Sequence, residues 1–225
     1  MPLGYFGSKR RLGATYPRPT YDTIVEPFAG AAGYSLTGDN WTRDVMLIDN
    51  NPEVICAWRW IQQATDTELL ALPYMEHGVE FIQDDPVGTI MRWTNGLSGY
   101  IDKGRWPTKP QVRDWNGWNR ARVQREAHKI RHWQIIEGDY RDAPDTKATW
   151  FIDPPYQHFG GAYGSDRIDY QLLGDWCVDR WGQVIVCEQE PAAWLPFEHH
   201  TSNQTTTNAY VSELIWTNTP ALRLF

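Results

Sequence analysis

Apolar residues fall in short runs separated by turn-forming residues, and the runs switch between strand-like and helix-like spacing. Tyr21–Val25 is a short β-type run leading into Glu26-Pro27-Phe28-Ala29-Gly30-Ala31-Ala32-Gly33, which reads as a tight turn and then a helix start. Val45–Ile48 is a second run, closing at Asp49. Asn50 or Asn51 can cap the next helix, and Pro52 suits its first turn. Val54, Ile55, Trp58 and Ile61 then share one helical face. Further on, Trp133–Glu137 is a short apolar stretch closed by Gly138-Asp139-Tyr140, and Ala148–Ile152 is a strand ending at Asp153. Leu172, Leu173, Trp176 and Cys177 suggest a helix, Gln183–Cys187 a buried strand, and Tyr210–Trp216 a last β-prone run. Strands alternating with helices predict an α/β fold, with a mostly parallel sheet covered on both faces.

More than eighty residues separate the second strand from the Trp133 run, a surplus over what a crossover needs. The expectation is one main α/β domain, residues 1–65 and 133–225, with an inserted subdomain at 66–132. Within the insertion, Arg120–Trp133 reads as a helix. Val123, Ala127 and Ile130 fall on its packing side, and Arg122, Arg125, Lys129 and His132 on the opposite one.

The chain has 225 residues with 41% hydrophobic and 22% charged, ordinary values for one globular domain. No apolar run approaches the length of a membrane span, and no apolar core follows the basic residues near the start. A cytoplasmic protein with no membrane partner is expected. Three scattered cysteines with no CxxC argue against a disulfide scaffold or a cysteine-rich zinc site. His128 and His132 have i, i+4 spacing but lack an intervening catalytic glutamate and sit among basic residues, so no metal is expected.

Net charge is −7, but it is unevenly spread. Residues 1–20 hold Lys9, Arg10, Arg11 and Arg18 and no acid. Residues 92–131 hold ten basic residues against three acids, and also carry Trp93, Tyr100, Trp106, Trp115 and Trp118. Two basic segments on an acidic body suit local neutralisation of phosphates, and aromatic rings among them can stack on bases. The same aromatics also suit the core of a small irregular subdomain.

The small residues at 29–33 allow a ligand to approach the backbone closely. Asp49 ends the next strand about twenty residues on, where an acid accepts hydrogen bonds from ribose hydroxyls; it can equally cap the following helix. Asp139 ends a third strand and could accept from an adenine amino group. The sharpest signal is Asp153-Pro154-Pro155-Tyr156. Two prolines fix the backbone and remove two donors, so the Asp153 carboxylate and Pro154 carbonyl present acceptors to an amino group, and Tyr156 can stack on its ring. A rigid turn ending a core strand is the simpler use of the same residues. Glu188 and Glu190 sit near a strand end, but no positioned nucleophile accompanies them.

The chain resembles the Dam-type family of DNA adenine-N6 methyltransferases. The resemblance runs through Gly4-Tyr5-Phe6-Gly7-Ser8-Lys9, Val25-Glu26-Pro27-Phe28-Ala29-Gly30, Asp49-Asn50, Gly138-Asp139-Tyr140, Asp153-Pro154-Pro155-Tyr156 and, less specifically, Tyr210–Trp216. It implies a Rossmann-like fold with a mostly parallel, seven-stranded sheet. It also implies S-adenosyl-L-methionine as methyl donor and double-stranded DNA as partner. Tyr5, Gly7 and Lys9 would lie near the donor's methionine part, and Glu26, Phe28 and Gly30 would line its pocket. Asp49 would hold the ribose, with Asp139 and Tyr140 at the adenine. Asp153, Pro154, Pro155 and Tyr156 would take a flipped-out target adenine. Residues of the two basic segments, Arg10, Arg105, Lys109, Arg113, Arg122, Arg125 and Lys129, would hold the DNA. The loop 157–167 would close over the flipped base. One flipped base needs one pocket, so a monomer is expected. RNA as substrate, and a catalytically silent nucleic-acid-binding protein on this fold, remain open alternatives.

Overall fold

The computed structural model describes residues 9, 12–74, 85–94, 115, 117–158, 168–204 and 210–218. Seven strands form one sheet: β1 (Thr23–Glu26), β2 (Asp44–Asp49), β3 (Gln134–Glu137), β4 (Ala148–Ile152), β5 (Gly182–Gln189), β6 (Glu198–Gln204) and β7 (Tyr210–Thr217). Their order is β3-β2-β1-β4-β5-β7-β6. Strands β1 to β5 pair in parallel, and β7 pairs antiparallel with both β5 and β6. This is the strand order of the Rossmann-like S-adenosylmethionine-dependent methyltransferase fold, as the sequence led us to expect. The chain leaves β1 toward β2 and β3, then returns on the other side at β4. The topological switch point therefore lies between β1 and β4, where open α/β sheets place their ligand crevice.

Strand alternation sorts the core into two layers. One face buries Ile24, Val45, Leu47, Phe151, Ile185 and Cys187, and the other buries Val25, Ile48, Trp150, Ile152, Val184 and Val186. Helix α1 (Pro52–Gln63) covers the first face through Val54, Ala57, Trp58 and Ile61, all fully buried, and Ile55 on its expected stripe is buried too. It starts as the sequence requires, with the Asn51 side chain accepting from the Glu53 N–H and proline at its first turn. Helix α5 (Tyr170–Val178) covers the second face with Tyr170, Leu173 and Cys177.

The described parts of residues 66–132 add α2 (Asp66–Leu70), α3 (Pro86–Thr94) and α4 (Gly117–Ala127). Leu69, Ile90, Met91, Trp115, Val123 and Ala127 join the same hydrophobic cluster as α1 and the first sheet face. Helix α4 ends at Ala127 and continues as one turn of 3-10 helix to Ile130, short of the expected Trp133. Val123, Ala127 and Ile130 pack as expected, but Arg122 does not face solvent. The buried stripe of α4 runs through Asn119, Arg122, Val123, Glu126 and Ala127, wider than the apolar positions alone suggested, and it takes Arg122 to 5% exposure.

One further expectation is corrected, and one strand lay outside the sequence reading. No helix follows Gly33: residues 33–37 form turns, and a 3-10 turn covers Asn40–Thr42. The left-handed backbone of Gly30 and Ala32 is incompatible with a helix start there. The edge strand β6 had no apolar signature, since Glu-His-His-Thr-Ser-Asn-Gln is polar throughout and carries an irregularity between His199 and Thr201.

Gly182 opens β5 at φ +119°, and a Cβ there would meet the Ala148 carbonyl oxygen at 2.1 Å. That oxygen belongs to the paired strand, so nothing can swing aside. Gly182→Ala is expected to cost at least about 2 kcal/mol, seen as a fall of several degrees in the thermal midpoint followed by circular dichroism. An unchanged midpoint would remove this constraint from the account.

Candidate active site at the carboxyl edge of the sheet

The parallel strands end at one edge in acids: Glu26 as the last residue of β1, Asp49 as the last of β2, Asp139 just past β3 and Asp153 just past β4. Because β7 runs the other way, its early residues reach the same edge, and Glu213 is in register with Gln189 near the end of β5.

Lys9 lies at the centre of this edge, 6% exposed. Its ammonium is 2.9 Å from Asp153 Oδ1 and 3.3 Å from Glu213 Oε1, and it donates to the Tyr156 hydroxyl. The Tyr156 hydroxyl in turn donates to Glu213 Oε1 at 2.7 Å, and so does the Tyr16 hydroxyl at 2.7 Å. Two close approaches hold Lys9 in place. Its carbonyl accepts from the Leu12 and Gly13 N–H groups, and a Cβ on Gly33 would come within 3.0 Å of its backbone nitrogen. Glycine at 33 lets the N-terminal segment lie against the turn after β1.

Burial alone would depress the Lys9 ammonium, but the charges of Asp153 and Glu213 outweigh it and hold its pKa above the ordinary lysine value. Burial raises the Asp153 carboxyl, which Lys9 pulls down and Glu213 pushes up further. Burial also keeps Tyr156 and the neighbouring Cys187 thiol well above their usual ranges, so both stay neutral. The side chain of Asp153 is 21% exposed, against 6% for Lys9 and for Glu213, so Asp153 is the most open of the three charged groups.

The neighbouring strand ends are arranged differently. Asp49 accepts from the Gly30 N–H at Oδ2 and from the Asn51 N–H at Oδ1, both at 2.9 Å. The Gly30 carbonyl accepts from Trp58 Nε1. Glu26 is 2% exposed and accepts from the Ser35 N–H, with no ion-pair partner among the described residues. Burial pushes its carboxyl up to about 8. Phe28 stacks on Tyr140 with ring centres 5.4 Å apart. Asp139 accepts from the backbone and guanidinium of Arg141, so its carboxylate caps its own turn.

The sequence had placed Lys9 with the donor-binding residues, whereas here it contacts the Asp153–Tyr156 motif. Tyr5, Gly7, Arg10, Arg105, Lys109 and Arg113 lie outside the described residues, as does most of the 157–167 loop. Arg125 and Lys129 are at the surface of the α4 segment, each paired with Glu126. Among the described residues no group of His, Cys, Asp and Glu could hold a metal ion, and no helix is long and apolar enough to cross a membrane.

Sequence reasoning missed Tyr16 and Glu213. Glu213 left a trace, as an acid inside the β-prone run Tyr210–Trp216, but Tyr16 left none. Glu188 is fully buried on the opposite face of the sheet. It accepts from the Gln157 and Gln189 N–H groups and from Trp194 Nε1, which ties the backbone at Gln157 to the end of β5. A cleft of about 570 Å³ on that side is lined by Gln157, His158, Tyr170 and Trp194.

Comparison with known protein families finds no match to this sequence, and no curated protein is recognisably similar to it. The fold is that of the Rossmann-like methyltransferases.

Glu26 makes the site sensitive to pH. Its folded pKa lies above its unfolded one, so between its ordinary value and about 8 the folded chain holds a proton that the unfolded chain has lost. Stability therefore falls as pH rises through that window, by at most about 1.4 kcal/mol per unit. Glu26→Gln should flatten the fall and leave the protein more stable than wild type near the upper end, as measured by urea unfolding. Parallel stability curves for the two proteins would show that Glu26 is ionised in the fold.

Proposed function

We propose that this chain transfers a methyl group from S-adenosylmethionine to the N6 amino nitrogen of an adenine extruded from duplex DNA. The observation that carries the reading is the position of Asp153-Pro154-Pro155-Tyr156. It stands at the end of β4, beside the switch point of a methyltransferase-type sheet, with the Asp153 side chain half-buried.

The motif suits recognition of an amino group. The Tyr170 hydroxyl donates to the Pro155 carbonyl at 2.6 Å and fixes the turn. Among the described residues no donor reaches the Pro154 carbonyl, and proline at 154 and 155 removes both local N–H groups. An amino group entering there can give one hydrogen to Asp153 and the other to the Pro154 carbonyl. Its nitrogen lone pair is then held in one direction. This is catalysis by orientation and electrostatics, with no covalent enzyme intermediate.

The residues toward β1 and β2 fit an adenosine that carries a cationic chain. Each Asp49 oxygen accepts one backbone N–H and keeps a second lone pair for a ribose hydroxyl. A cation against Glu26 would relieve the burial that now keeps this carboxyl protonated. The donor supplies an activated methyl group, and the protein's residues supply binding and alignment. Asp139 is a weaker candidate for the adenine amino group, because Arg141 already occupies it. DNA would be held by the two basic segments, with Arg125 and Lys129 among their described members and buried Arg122 acting through α4.

The test is methyl incorporation from labelled S-adenosylmethionine into unmethylated duplex DNA, followed by digestion to nucleosides, with RNA as a parallel substrate. N6-methyladenine should form in DNA. Asp153→Ala should lower its rate about a hundredfold or more while leaving donor affinity near wild type. Methylated RNA in place of DNA would overturn the substrate. Donor binding without any transfer would leave a silent binding protein.

A further inference from the structure

Glu213 has a geometry that the reading above does not use. It lies on β7, flanked on both sides by β5 and β6, and is in register with Gln189 and Thr201. This is a stiff position, 5% exposed. Its Oε1 accepts from the hydroxyls of Tyr16 and Tyr156, each at 2.7 Å, and lies 3.3 Å from the Lys9 ammonium. Lys9 and Tyr16 come from one stretch near the start of the sequence and Tyr156 from the end of β4, and all three converge on this oxygen. Tyr16 is itself fixed, stacked on His200 of β6 at 4.8 Å and edge-on to Phe151 of β4 at 5.1 Å.

The donor directions close on themselves. Lys9 donates to the Tyr156 oxygen, and the single hydroxyl hydrogen of Tyr156 points to Glu213, with the Asp153 carboxylate also within its reach. That fixes the far end of the tyrosine whose near end is fixed by the two prolines. Lys9 also sits between two carboxylates, so neither takes its whole charge. Without the Glu213 charge, Lys9 would pair with Asp153 alone and weaken it as an acceptor for an incoming amino group.

We propose that Glu213 is the positioning residue of this site: it anchors the Tyr156 ring and shares the Lys9 ammonium with Asp153, leaving Asp153 able to accept from the substrate. This rests on the methyl-transfer reading for its kinetic consequences but not for its geometry. Tyr16 supports Glu213 from behind. Neither residue touches the reacting atoms.

Two measurements on the full chain test it. Glu213→Gln keeps the shape and removes the charge. It should lower kcat about tenfold or more with donor KM near wild type, and shift the acidic limb of the kcat profile to lower pH, because the charge that raises Asp153 is gone. Tyr16→Phe should give a smaller fall in kcat with an unshifted profile. An unchanged kcat and profile in Glu213→Gln would overturn the proposal.

The second measurement does not depend on activity. In 15N-lysine NMR, the buried Lys9 ammonium should give a slowly exchanging resonance, assigned by its loss in Lys9→Arg. Glu213→Gln should broaden or shift it, and persistence unchanged would overturn the proposal. If wild type transfers no methyl group, the functional reading fails and this resonance alone decides the role of Glu213. If Glu213→Gln does not fold, Tyr16→Phe is read in its place, and an unmoved resonance together with an unchanged kcat would overturn the proposal.

Discussion

Burying an ammonium is costly unless carboxylates neutralise it and acceptors receive hydrogen bonds from its N–H groups. Lys9 meets that demand with Asp153, Glu213 and the Tyr156 hydroxyl. In doing so it ties the N-terminal segment to the ends of β4 and β7. Removing any one partner leaves charge or polarity unsatisfied in a closed environment, so these segments must come together as a set. The cluster holds two carboxylates for one cation, and its more open carboxylate is the one in the Asp-Pro-Pro-Tyr motif. The same constraint that organises the fold at this edge thus leaves an acceptor facing outward.

The sheet topology explains why so many acids collect here. Parallel strands deliver their last residues to one edge, and the antiparallel β7 delivers its early ones to the same place. Alternation then sorts them by face. Asp153 and Glu213 share the face that buries Phe151 and Cys187, whereas Glu188 points to the other face and is consumed by three donors. Two buried glutamates near one strand end thereby acquire different uses. One collects hydroxyls and shares a cation, and the other staples a loop.

Much of this was legible from the sequence. Acids that follow apolar runs, at Glu26, Asp49 and Asp153, marked strand ends correctly because a charge at the close of a buried run has to emerge at an edge. Helix α1 was readable because its cap, its first-turn proline and its apolar stripe agree. The exposed strand β6 was not, because an edge strand with a polar sequence has no period to detect. The turn after β1 defeated a helix expectation through the left-handed backbone of Gly30 and Ala32, which no apolar pattern encodes. Arg122 was misplaced because helical spacing ranks apolar positions and cannot show that its guanidinium lies over the Trp118 ring, 4.9 Å from its centre. Lys9, Tyr16 and Glu213 meet from opposite ends of the chain, and such a meeting exists only in the folded sheet.

The central claim is that the edge between β1, β2 and β4 is the binding site of a methyl donor. Equilibrium dialysis of labelled S-adenosylmethionine against the whole chain tests it most directly, with S-adenosylhomocysteine as competitor and Asp49→Ala alongside. The account predicts saturable, competable binding of one donor per chain, weakened about tenfold or more in the variant. No saturable binding, or binding unaffected by loss of the Asp49 carboxylate, would contradict it.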